Sequence, residues 1–485
     1  MPAVIVESLE PSAVWRHFDT LCRIPRPSKH ERALREHLAG WAAARGFGTE
    51  VDGAGNLLIR KPATSGMEDR LAVALQGHLD MVCQKQPALA HDFHRDPIRP
   101  VLRDGWLTAE QTTLGADNGI GVALALAVLE SDAIRHGPLE VLLTVDEEAG
   151  MGGARNLQAG CLDARLLINL DTEEWGRFYV GCAGGMDVTA ERDYAQTPLQ
   201  EALAIARISV AGLVGGHSGI DIHRGRGHAM ALLVDALRRL GRELPFRLVG
   251  LEGGTARNAI PRDAFADVAV DSIAALRGWI DAHDERTRAA LATTDPAVRL
   301  GVAPSPLHPR AAAEDGAHLL ETLAAVPQGV RRMSDDFAGV VETSNNLGVV
   351  RIGAGRAEAV CMVRSLVDAD AGSLARQIAA GFAAGGWTAR TVGAYPGWRP
   401  AAKSPWLALC RRVYRREFGA EAGIEVIHAG LECGLIGARY PAMDMISFGP
   451  DIQGAHAPGE RVNVASVAQV WRLLAALLAE IPRAG

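Results

Sequence analysis

The first residues in the chain that could carry chemistry are a histidine and an acid at the end of an apolar run. Residues 71–75 are apolar, and His78 and Asp80 follow almost at once. A carboxylate two residues after a His can accept the proton on the second ring nitrogen, which fixes the tautomer of a metal ligand. Taken alone, the pair is equally compatible with a histidine satisfied in a core.

Acids also follow two further apolar runs. Residues 139–145 lead into three successive acids that include Glu147 and Glu148, and residues 166–170 lead into Asp171. Neighbouring carboxylates repel one another, so they require solvent or a cation. An acidic surface loop is the alternative interpretation, but the buried character of the preceding runs favours a cation.

Two more candidates lie in glycine-rich segments. Asp117 lies in TTLGADNGIG, where the alternative role is that of a helix N-cap. His456 lies in the Gly/Pro loop GAHAPGE, away from any apolar face. Imidazole and carboxylate ligands suit zinc, and one carboxylate can bridge two ions. Together these residues are typical of a paired-metal hydrolase.

The elements that must position these residues follow from the spacing of apolar residues. Short apolar runs separated by turns or charges indicate strands buried on both faces, and an Ala/Leu-rich helix is predicted over residues 118–129. The fold class predicted is therefore α/β, with a mostly parallel, helix-flanked sheet. Open sheets of this kind place their sites at the carboxyl ends of strands. The predicted strands are residues 56–59, 71–75, 139–145 and 166–170.

The pattern of predicted secondary structure changes after the run GCAGG at residues 181–185. From there to residue 395, strand patterns alternate with longer amphipathic helices. We expect residues 1–186 and 396–485 to form a discontinuous catalytic domain. Residues 187–395 are expected to form an inserted α+β lid, with two similar halves. The predicted elements of the lid are strands at 208–210, 265–270, 348–352 and 359–363, and helices at 229–240, 273–292, 316–325 and 372–384.

Composition restricts the class of protein. The 485 residues carry a net charge of −7, which argues against a nucleic-acid partner. Seven Cys without a C-x-x-C pair indicate a reduced, cytoplasmic protein rather than a disulfide framework or a Cys-rich zinc finger. No membrane segment is expected, because the most apolar run, residues 119–129, is too short to span a bilayer.

In several runs along the chain, the sequence resembles the aminoacyl-histidine dipeptidase (peptidase D) branch of the M20 metallopeptidase family. The resemblance implies that His78 and Asp171 bind one metal ion, that Glu148 and His456 bind a second, and that Asp117 bridges both. Two Zn²⁺ ions are the expected cofactors, although Mn²⁺ or Co²⁺ suits the same ligands. The runs that carry the resemblance are LQGHLDMVCQK, TTLGADNGIGVA, TVDEEAGMGGA, INLDTEEWGRFYVGCAGG, GGHSGIDIH, HAGLECG and GAHAPGERV.

The same resemblance implies further roles. Asp80 would orient His78, and Glu147 would be the general base. His217 would stabilise the oxyanion from an inserted lid, unless it only caps a turn. The implied substrate is a dipeptide. Lids of the family often mediate dimers, so a homodimer and a monomer both remain open for this chain.

The two ends of a dipeptide suggest three more contacts. Arg364 and the segment around Asn258 are expected to take the carboxylate, since a guanidinium matches a carboxylate bidentately. Glu432 is expected to take the ammonium. Structural salt bridges are the alternative for these residues.

Rival functions fit the sequence less well. Residues 216–220 lack the G-x-S-x-G spacing of a serine hydrolase. The glycine runs at 181–185 and 353–355 lack the G-x-G-x-x-G spacing of a nucleotide-binding oxidoreductase. A non-catalytic protein of the same fold would not need both the ligand set and the base. The alternative that remains is an M20-type aminoacylase or N-acyl deacetylase, which uses the same metal site on an acylated amine.

Overall fold

A computed structural model describes residues 8–484, which form two compact units. The first comprises the described residues of Met1–Gly181, Pro400–Val426 and Glu432–Gly485. The second comprises Cys182–Arg399 and Ile427–Leu431. The chain therefore leaves the first unit and returns to it, with a short excursion back to the second at residues 427–431. That the second unit is a lid with two similar halves stays a prediction.

Eleven α-helices lie within residues 8–484. In chain order they are α1 Ser12–Arg23, α2 Arg32–Ala43, α3 Ala116–Glu130, α4 Gly152–Asn156, α5 Ala229–Glu243, α6 Ile273–Ala290, α7 Gly316–Ala325, α8 Asp368–Ala384, α9 Pro405–Phe418, α10 Glu432–Arg439 and α11 Val464–Ala479.

The same residues contain twenty-five strands. They are β1 Gly48–Val51, β2 Leu57–Lys61, β3 Val73–His78, β4 Pro100–Arg103, β5 Trp106–Ala109, β6 Leu139–Thr144, β7 Leu166–Asn169, β8 Arg177–Cys182, β9 Gly184–Asp193, β10 Gln196–Pro198, β11 Ala204–Ala211, β12 Gly216–His217, β13 Arg247–Gly253, β14 Ala259–Ile260, β15 Ala264–Val270, β16 Arg299–Pro304, β17 Ala311–Ala313, β18 Gly329–Met333, β19 Val341–Gly353, β20 Arg356–Ser365, β21 Thr388–Tyr395, β22 Gly423–Ile427, β23 Asp444–Ser447, β24 Ile452–Gln453 and β25 Arg461–Asn463.

The main sheet of the first unit has eight strands in the order β1-β2-β6-β3-β7-β23-β8-β22. Parallel pairing joins the four central strands β6, β3, β7 and β23. The β1–β2, β2–β6 and β23–β8 pairs are antiparallel. A short turn joins β1 to β2, and such a connection permits only antiparallel pairing, whereas parallel neighbours need a long crossover. The α/β fold is confirmed, and its central strands are parallel.

The central strands are buried on both faces. Every residue of β3, β6 and β7 is buried, as expected for parallel strands covered by helices. Helix α3 is also buried almost all round, and it packs between β3 and α1. This explains why the apolar runs of the sequence locate these elements to within a few residues. A second, four-stranded antiparallel sheet of the unit has the order β24-β25-β5-β4.

The second unit is built on one nine-stranded antiparallel sheet. Its order is β16-β11-β15-β13-β19-β20-β9-β21, and β18 pairs with β19 outside this path. Helices α5, α6, α7 and α8 pack against these strands and enclose a continuous apolar core. The predicted helices and strands of this region all correspond to observed ones, although β19 and β20 extend well beyond the predicted ranges.

Candidate metal centre

The parallel strands of the first unit bring the predicted ligands to one edge of the sheet. His78 is the last residue of β3, Glu148 follows β6, and Asp171 follows β7. The carboxyl ends of parallel strands meet at one edge, which explains how residues far apart in the sequence become neighbours. Asp117 adds its side chain from the first turn of α3, and His456 from the loop between β24 and β25.

The carboxylate of Asp117 lies between the two histidines. Its Oδ1 is 3.1 Å from Nε2 of His78, and its Oδ2 is 3.0 Å from Nε2 of His456. The same nitrogen of His78 is 3.2 Å from Oδ1 of Asp171, and that of His456 is 3.1 Å from Oε1 of Glu148. Each imidazole nitrogen therefore faces two carboxylates, and Asp117 is the carboxylate common to both groups.

These contacts fit divalent ions better than hydrogen bonds. One ring N–H serves one acceptor well, and the buried oxygens Glu148 Oε1 and Asp171 Oδ1 meet their imidazoles without hydrogen-bond geometry. Tetrahedral ligands about 2.0–2.1 Å from a zinc ion lie about 3.3 Å from one another, close to the distances observed. Ligand atoms of His78, Asp117 and Glu148 all lie within 4.8 Å of one another.

The electrostatics of the cluster also favour the binding of cations. Burial raises the pKa of Asp171 to about 8 against the opposing effect of His78, and the carboxylates of Asp117 and Glu432 add to the rise. Contacts with the carboxylates of Asp117 and Glu148 raise the pKa of His456 to about 11. The carboxylate contributions to both shifts indicate that negative charge is concentrated in the cluster, which suits divalent cations.

Asp80 connects the His78 ligand to the acidic loop. Its Oδ1 lies 3.4 Å from Nδ1 of His78, and its carboxylate accepts the amide N–H groups of Glu147 and Glu148 at 3.0 and 3.1 Å and the hydroxyl of Ser28 at 2.7 Å. Burial by itself would raise the pKa of Asp80, but the interactions with His78, Ser28 and the Glu147 amide lower it to about 2. Asp80 therefore stays ionised, and it orients a histidine and a loop together.

Glu147 lies beside the cluster. Among the described residues, the Nε2 ion pairs of the two ligand histidines are made with the other ligands and not with Glu147. Burial raises its pKa well above the ordinary value, and nearby Asp171 and Glu432 act in the same direction while His78 opposes them. A carboxyl group with a raised pKa is suited to proton transfer near neutral pH.

Glu460 is a site residue that the sequence did not reveal. Its buried carboxylate accepts four backbone amides at the start of α3: those of Leu114 and Gly115 on Oε2, at 2.8 and 3.0 Å, and those of Ala116 and Asp117 on Oε1, at 2.7 and 3.2 Å. The only signal was its place in the GAHAPGERV run, four residues after His456. A carboxylate at a helix N-terminus is stabilising, and this one holds the backbone of Asp117 in place.

Replacement of Glu460 by Gln is expected to weaken the binding of divalent metal about 10- to 100-fold, the usual effect of losing a partner that orients a ligand. The new amide has a donor where Glu460 has an acceptor, so it leaves backbone N–H groups near Asp117 unsatisfied. Competition with a chelator of known affinity measures the change. A metal affinity equal to that of the parent protein would show that Glu460 only stabilises the helix.

Asn118 joins the ends of two strands below the cluster. Its Oδ1 accepts the backbone N–H of His78 at 3.2 Å, and its Nδ2 donates to the carbonyl of Leu170 at 2.6 Å. Two glycines leave room for it: a Cβ on Gly77 would lie 2.2 Å from Asn118 Oδ1, and one on Gly121 would lie 2.4 Å from the carbonyl of Leu170. The glycines around this motif are therefore needed for close packing.

Arg26 is a second residue that sequence reasoning missed. Its buried guanidinium donates to the carbonyls of Leu79, Asp80 and Gly115, at 3.0, 2.9 and 2.5 Å. It ties the segment after β3 to the segment before α3. Arginine is common on protein surfaces, so no spacing in the sequence distinguished this one.

Glu432, predicted to bind an ammonium group, lies at the start of α10 and is fully buried. Its Oε2 accepts hydrogen bonds from Gln76 Nε2 at 2.6 Å and from Thr144 Oγ1 at 2.7 Å, while Oε1 has no hydrogen-bond partner among the described residues. Burial raises its pKa to about 6 although His78 opposes the rise. The residue lies in the first unit beside the ligand cluster, and its contact with substrate stays a prediction.

His217 belongs to the second unit. Its Nδ1 accepts the backbone N–H groups of Gly219 and Ile220 at 3.2 and 3.1 Å, so the proton of a neutral ring must lie on Nε2. Burial, together with the charge of Arg364, lowers its pKa to about 4. The ring is therefore neutral near pH 7 and offers Nε2–H as a donor.

Arg364 and Asn258 lie in the same unit as His217. Arg364 is 4% exposed, its Nη2 lies 3.3 Å from Nε2 of His217, and no carboxylate of the described residues lies within 4.0 Å of it. The side chain of Asn258 is exposed, and its contact with this group is through its backbone carbonyl, which accepts the amide of Ser218 at 2.8 Å. The pairing of β12 with β14 places this segment beside His217.

Of the predicted site residues, eight therefore come together in the first unit and three lie together in the second. The first group is His78, Asp80, Asp117, Glu147, Glu148, Asp171, Glu432 and His456; the second is His217, Asn258 and Arg364. None of the helices between residues 8 and 484 is both long and apolar enough to cross a membrane.

Comparison with known proteins identifies a family and a relative that is similar over nearly the whole chain. Residues 74–480 match the model of peptidase family M20/M25/M40. The cytosol non-specific dipeptidase of Escherichia coli (strain K12) is 46% identical over 481 residues, which cover 98% of this chain and 99% of that protein.

Solved structures show the same relationship. The crystal structure of aminoacylhistidine dipeptidase from Vibrio alginolyticus has a TM-score of 0.92 and 43% identity, with 99% of each chain covered. The aminopeptidase PepT from Bacillus cereus, at 16% identity and a TM-score of 0.57 over 98% of this chain and 99% of its own, shares the fold.

Proposed function

We propose that this chain, which belongs to peptidase family M20/M25/M40, is a dipeptidase that hydrolyses dipeptides such as Xaa-His with the help of two divalent metal ions. The observation that carries the proposal is the position of the Asp117 carboxylate between the imidazoles of His78 and His456. The names of two relatives that exceed 40% identity over nearly the whole chain support the substrate class. The name of the Escherichia coli relative also supports a cytosolic location.

The ligand set that we propose divides the cluster into two positions. His78 and Asp171 would hold one ion, His456 and Glu148 would hold the other, and Asp117 would be shared by both positions. Zn²⁺ suits this mixture of nitrogen and oxygen donors, and Mn²⁺ or Co²⁺ suits it also. When bound, such a pair of ions supplies Lewis acidity, which lowers the pKa of water and polarises a carbonyl.

Two acidic residues of the chain have further roles, one in proton transfer and one in orienting a ligand. Glu147 accepts a proton from the attacking water and delivers it to the nitrogen of the leaving amine, which its raised pKa favours. The carboxylate of Asp80 faces Nδ1 of His78 and so keeps Nε2 of that ring directed at the metal position.

We assign the binding of the substrate's charged and reacting groups to four residues. His217 donates Nε2–H to the oxygen that becomes negative as the tetrahedral intermediate forms. Arg364 takes the terminal carboxylate, together with the segment of Asn258. Glu432 takes the terminal ammonium, since its buried Oε1 has no other hydrogen-bond partner among residues 8–484. A homodimer formed through the second unit stays a prediction.

The requirement for a free amino group tests the reaction class. We expect a Xaa-His dipeptide to be hydrolysed at least about 100-fold more efficiently than its N-acetyl form, because a buried carboxylate left without its ammonium partner strongly disfavours the blocked substrate. Both compounds would be assayed with purified protein whose metal content has been measured. Faster hydrolysis of the N-acetyl compound would instead identify an aminoacylase or N-acyl deacetylase.

Replacement of Arg364 by Ala is expected to raise KM for free dipeptides about 10- to 100-fold, the effect of losing hydrogen bonds between charged groups. Dipeptides with a C-terminal amide lack the carboxylate, so their KM should change little. Steady-state kinetics on both substrates measure the difference. Equal losses on the two would remove the assignment of Arg364 to the carboxylate.

A further inference from the structure

We propose that Tyr395 is a positioning residue that aims the guanidinium of Arg364, and that Gly185 is required in the strand between them so that the two side chains meet. The proposal rests on the assignment of Arg364 to the substrate carboxylate. It concerns three residues of the second unit, two of which, Tyr395 and Gly185, have no role in the function proposed above.

The three residues lie side by side on adjacent strands. Arg364 in β20 pairs with Gly185 in β9, and Gly185 pairs on its other side with Tyr395 in β21. Neighbouring strands are about 4.8 Å apart, so the backbones of Arg364 and Tyr395 are separated by about 9.6 Å. Residues directly opposite one another on a sheet project to the same face. The two long side chains can therefore touch only above the residue between them.

The residue between them has no side chain. A Cβ at Gly185 would lie 2.7 Å from the hydroxyl oxygen of Tyr395, 2.9 Å from its ring carbon Cζ and 2.9 Å from the carbonyl of Val363. The backbone of Gly185 is not in the left-handed region, so the conformation does not require glycine. Glycine is required because the Tyr395 hydroxyl and the backbone carbonyl of Val363 occupy the space that a side chain would need. This accounts for the last glycine of the GCAGG run, to which no ligand or base was assigned.

The contact orients Arg364 without neutralising it. Nη1 of Arg364 donates to the hydroxyl oxygen of Tyr395 at 2.8 Å, and Nη2 lies 3.3 Å from Nε2 of His217. Burial raises the pKa of the Tyr395 phenol although the charge of Arg364 opposes the rise, so the phenol is neutral near pH 7. Because a planar guanidinium is rigid, holding one nitrogen sets the direction of the others. A carboxylate in place of the phenol would cancel the charge that must attract the substrate.

The two donors that face each other each need an acceptor from the substrate, which is the developing oxyanion for His217 and the carboxylate for Arg364. The Nδ1 atom of His217 accepts two amides, so its Nε2 carries the proton of the neutral ring and cannot accept from Arg364. Two N–H groups that converge in this way both require an oxygen from outside the group. Tyr395 holds Arg364 in that convergent position.

Kinetics on a free dipeptide and on its C-terminal amide test the proposal. We expect Tyr395→Phe to raise KM for the free dipeptide about tenfold, to leave kcat within about twofold, and to leave the KM of the amide unchanged. Gly185→Ala should have the same selective effect, because its methyl group displaces the hydroxyl. The KM of the double variant for the free dipeptide should be no higher than that of either single variant, since both changes break the same contact.

Matched variants separate this effect from general damage. The hydroxyl of Tyr194, in the same unit, has no hydrogen-bond partner among the described residues, so Tyr194→Phe removes a hydroxyl without consequence. Gly353, in strand β19, has no atom within 4 Å of an added Cβ, so Gly353→Ala is the control for Gly185→Ala. Both controls should match the parent protein in KM and in melting temperature.

The outcomes separate the two proposals. If Arg364→Ala affects free and amidated dipeptides equally, the carboxylate assignment itself is wrong. If Arg364→Ala discriminates between them while Tyr395→Phe behaves like Tyr194→Phe, the positioning role alone is overturned. Should Gly185→Ala fail to fold, the isosteric Tyr395→Phe variant still decides.

Discussion

Replacement of Glu147 by Gln is expected to lower kcat about 10²- to 10⁴-fold, the usual contribution of a general base. Gln has the shape of Glu but cannot accept the proton of the attacking water. Glu147 makes none of the short contacts by which the five ligands face one another, so the metal content should not change. Steady-state kinetics together with elemental analysis of the purified variant measure both quantities.

A suitable control for this variant is Glu174→Gln. Glu174 is an exposed acid of the loop after β7, paired with Arg177, and its loss should leave kcat unchanged. A Glu147→Gln enzyme that keeps more than about a tenth of the parent kcat would exclude the role of general base. A variant that loses a metal ion would instead show that Glu147 is a ligand.

Variants of Asp117 and His456 should differ in how many metal ions they lose. Asp117→Ala removes an oxygen from both proposed positions, so the affinity for both ions should fall more than about 100-fold, beyond the effect of losing an outer partner. His456→Ala removes a ligand from one position only. We expect it to retain one tightly bound ion per chain at His78 and Asp171. Both variants should be inactive, because the reaction requires the complete pair.

Metal titration against a competing chelator, with elemental analysis, distinguishes the two variants. His94→Ala provides the control, because His94 lies in an exposed loop and should bind metal no differently from the parent protein. Equal loss of both ions from Asp117→Ala and His456→Ala would mean that the two positions are not separable. Full retention of metal by Asp117→Ala would eliminate the bridging role.

Much of the ligand cluster could be predicted from the sequence, because metal chemistry restricts the residue types. Few side chains bind divalent ions, and His78, Glu148 and Asp171 each follow an apolar run that is long enough for a buried strand. Parallel strands bring such residues to one edge of the sheet. The residue type and the local pattern therefore predict position as well as chemistry.

The supporting residues could not be predicted in the same way. Glu460 binds backbone amides more than three hundred positions away in the chain, and Arg26 binds carbonyls that any residue type would provide. Backbone groups are present at every position, so a sequence does not show which of them a distant side chain will meet. Tyr395 and Gly185 are a similar case, since only the register of three strands makes them neighbours.

By itself, the sequence determined the α/β class, the places of the central strands and of α3, and the residues able to bind metal, because apolar periodicity and ligand chemistry are local properties. Only the tertiary structure decided that Asp117 lies between His78 and His456, that Glu460 holds the start of α3, and that Tyr395 reaches Arg364 over Gly185. Those arrangements depend on strand order, register and close packing. They are set by contacts between residues far apart in the chain, which no local pattern records.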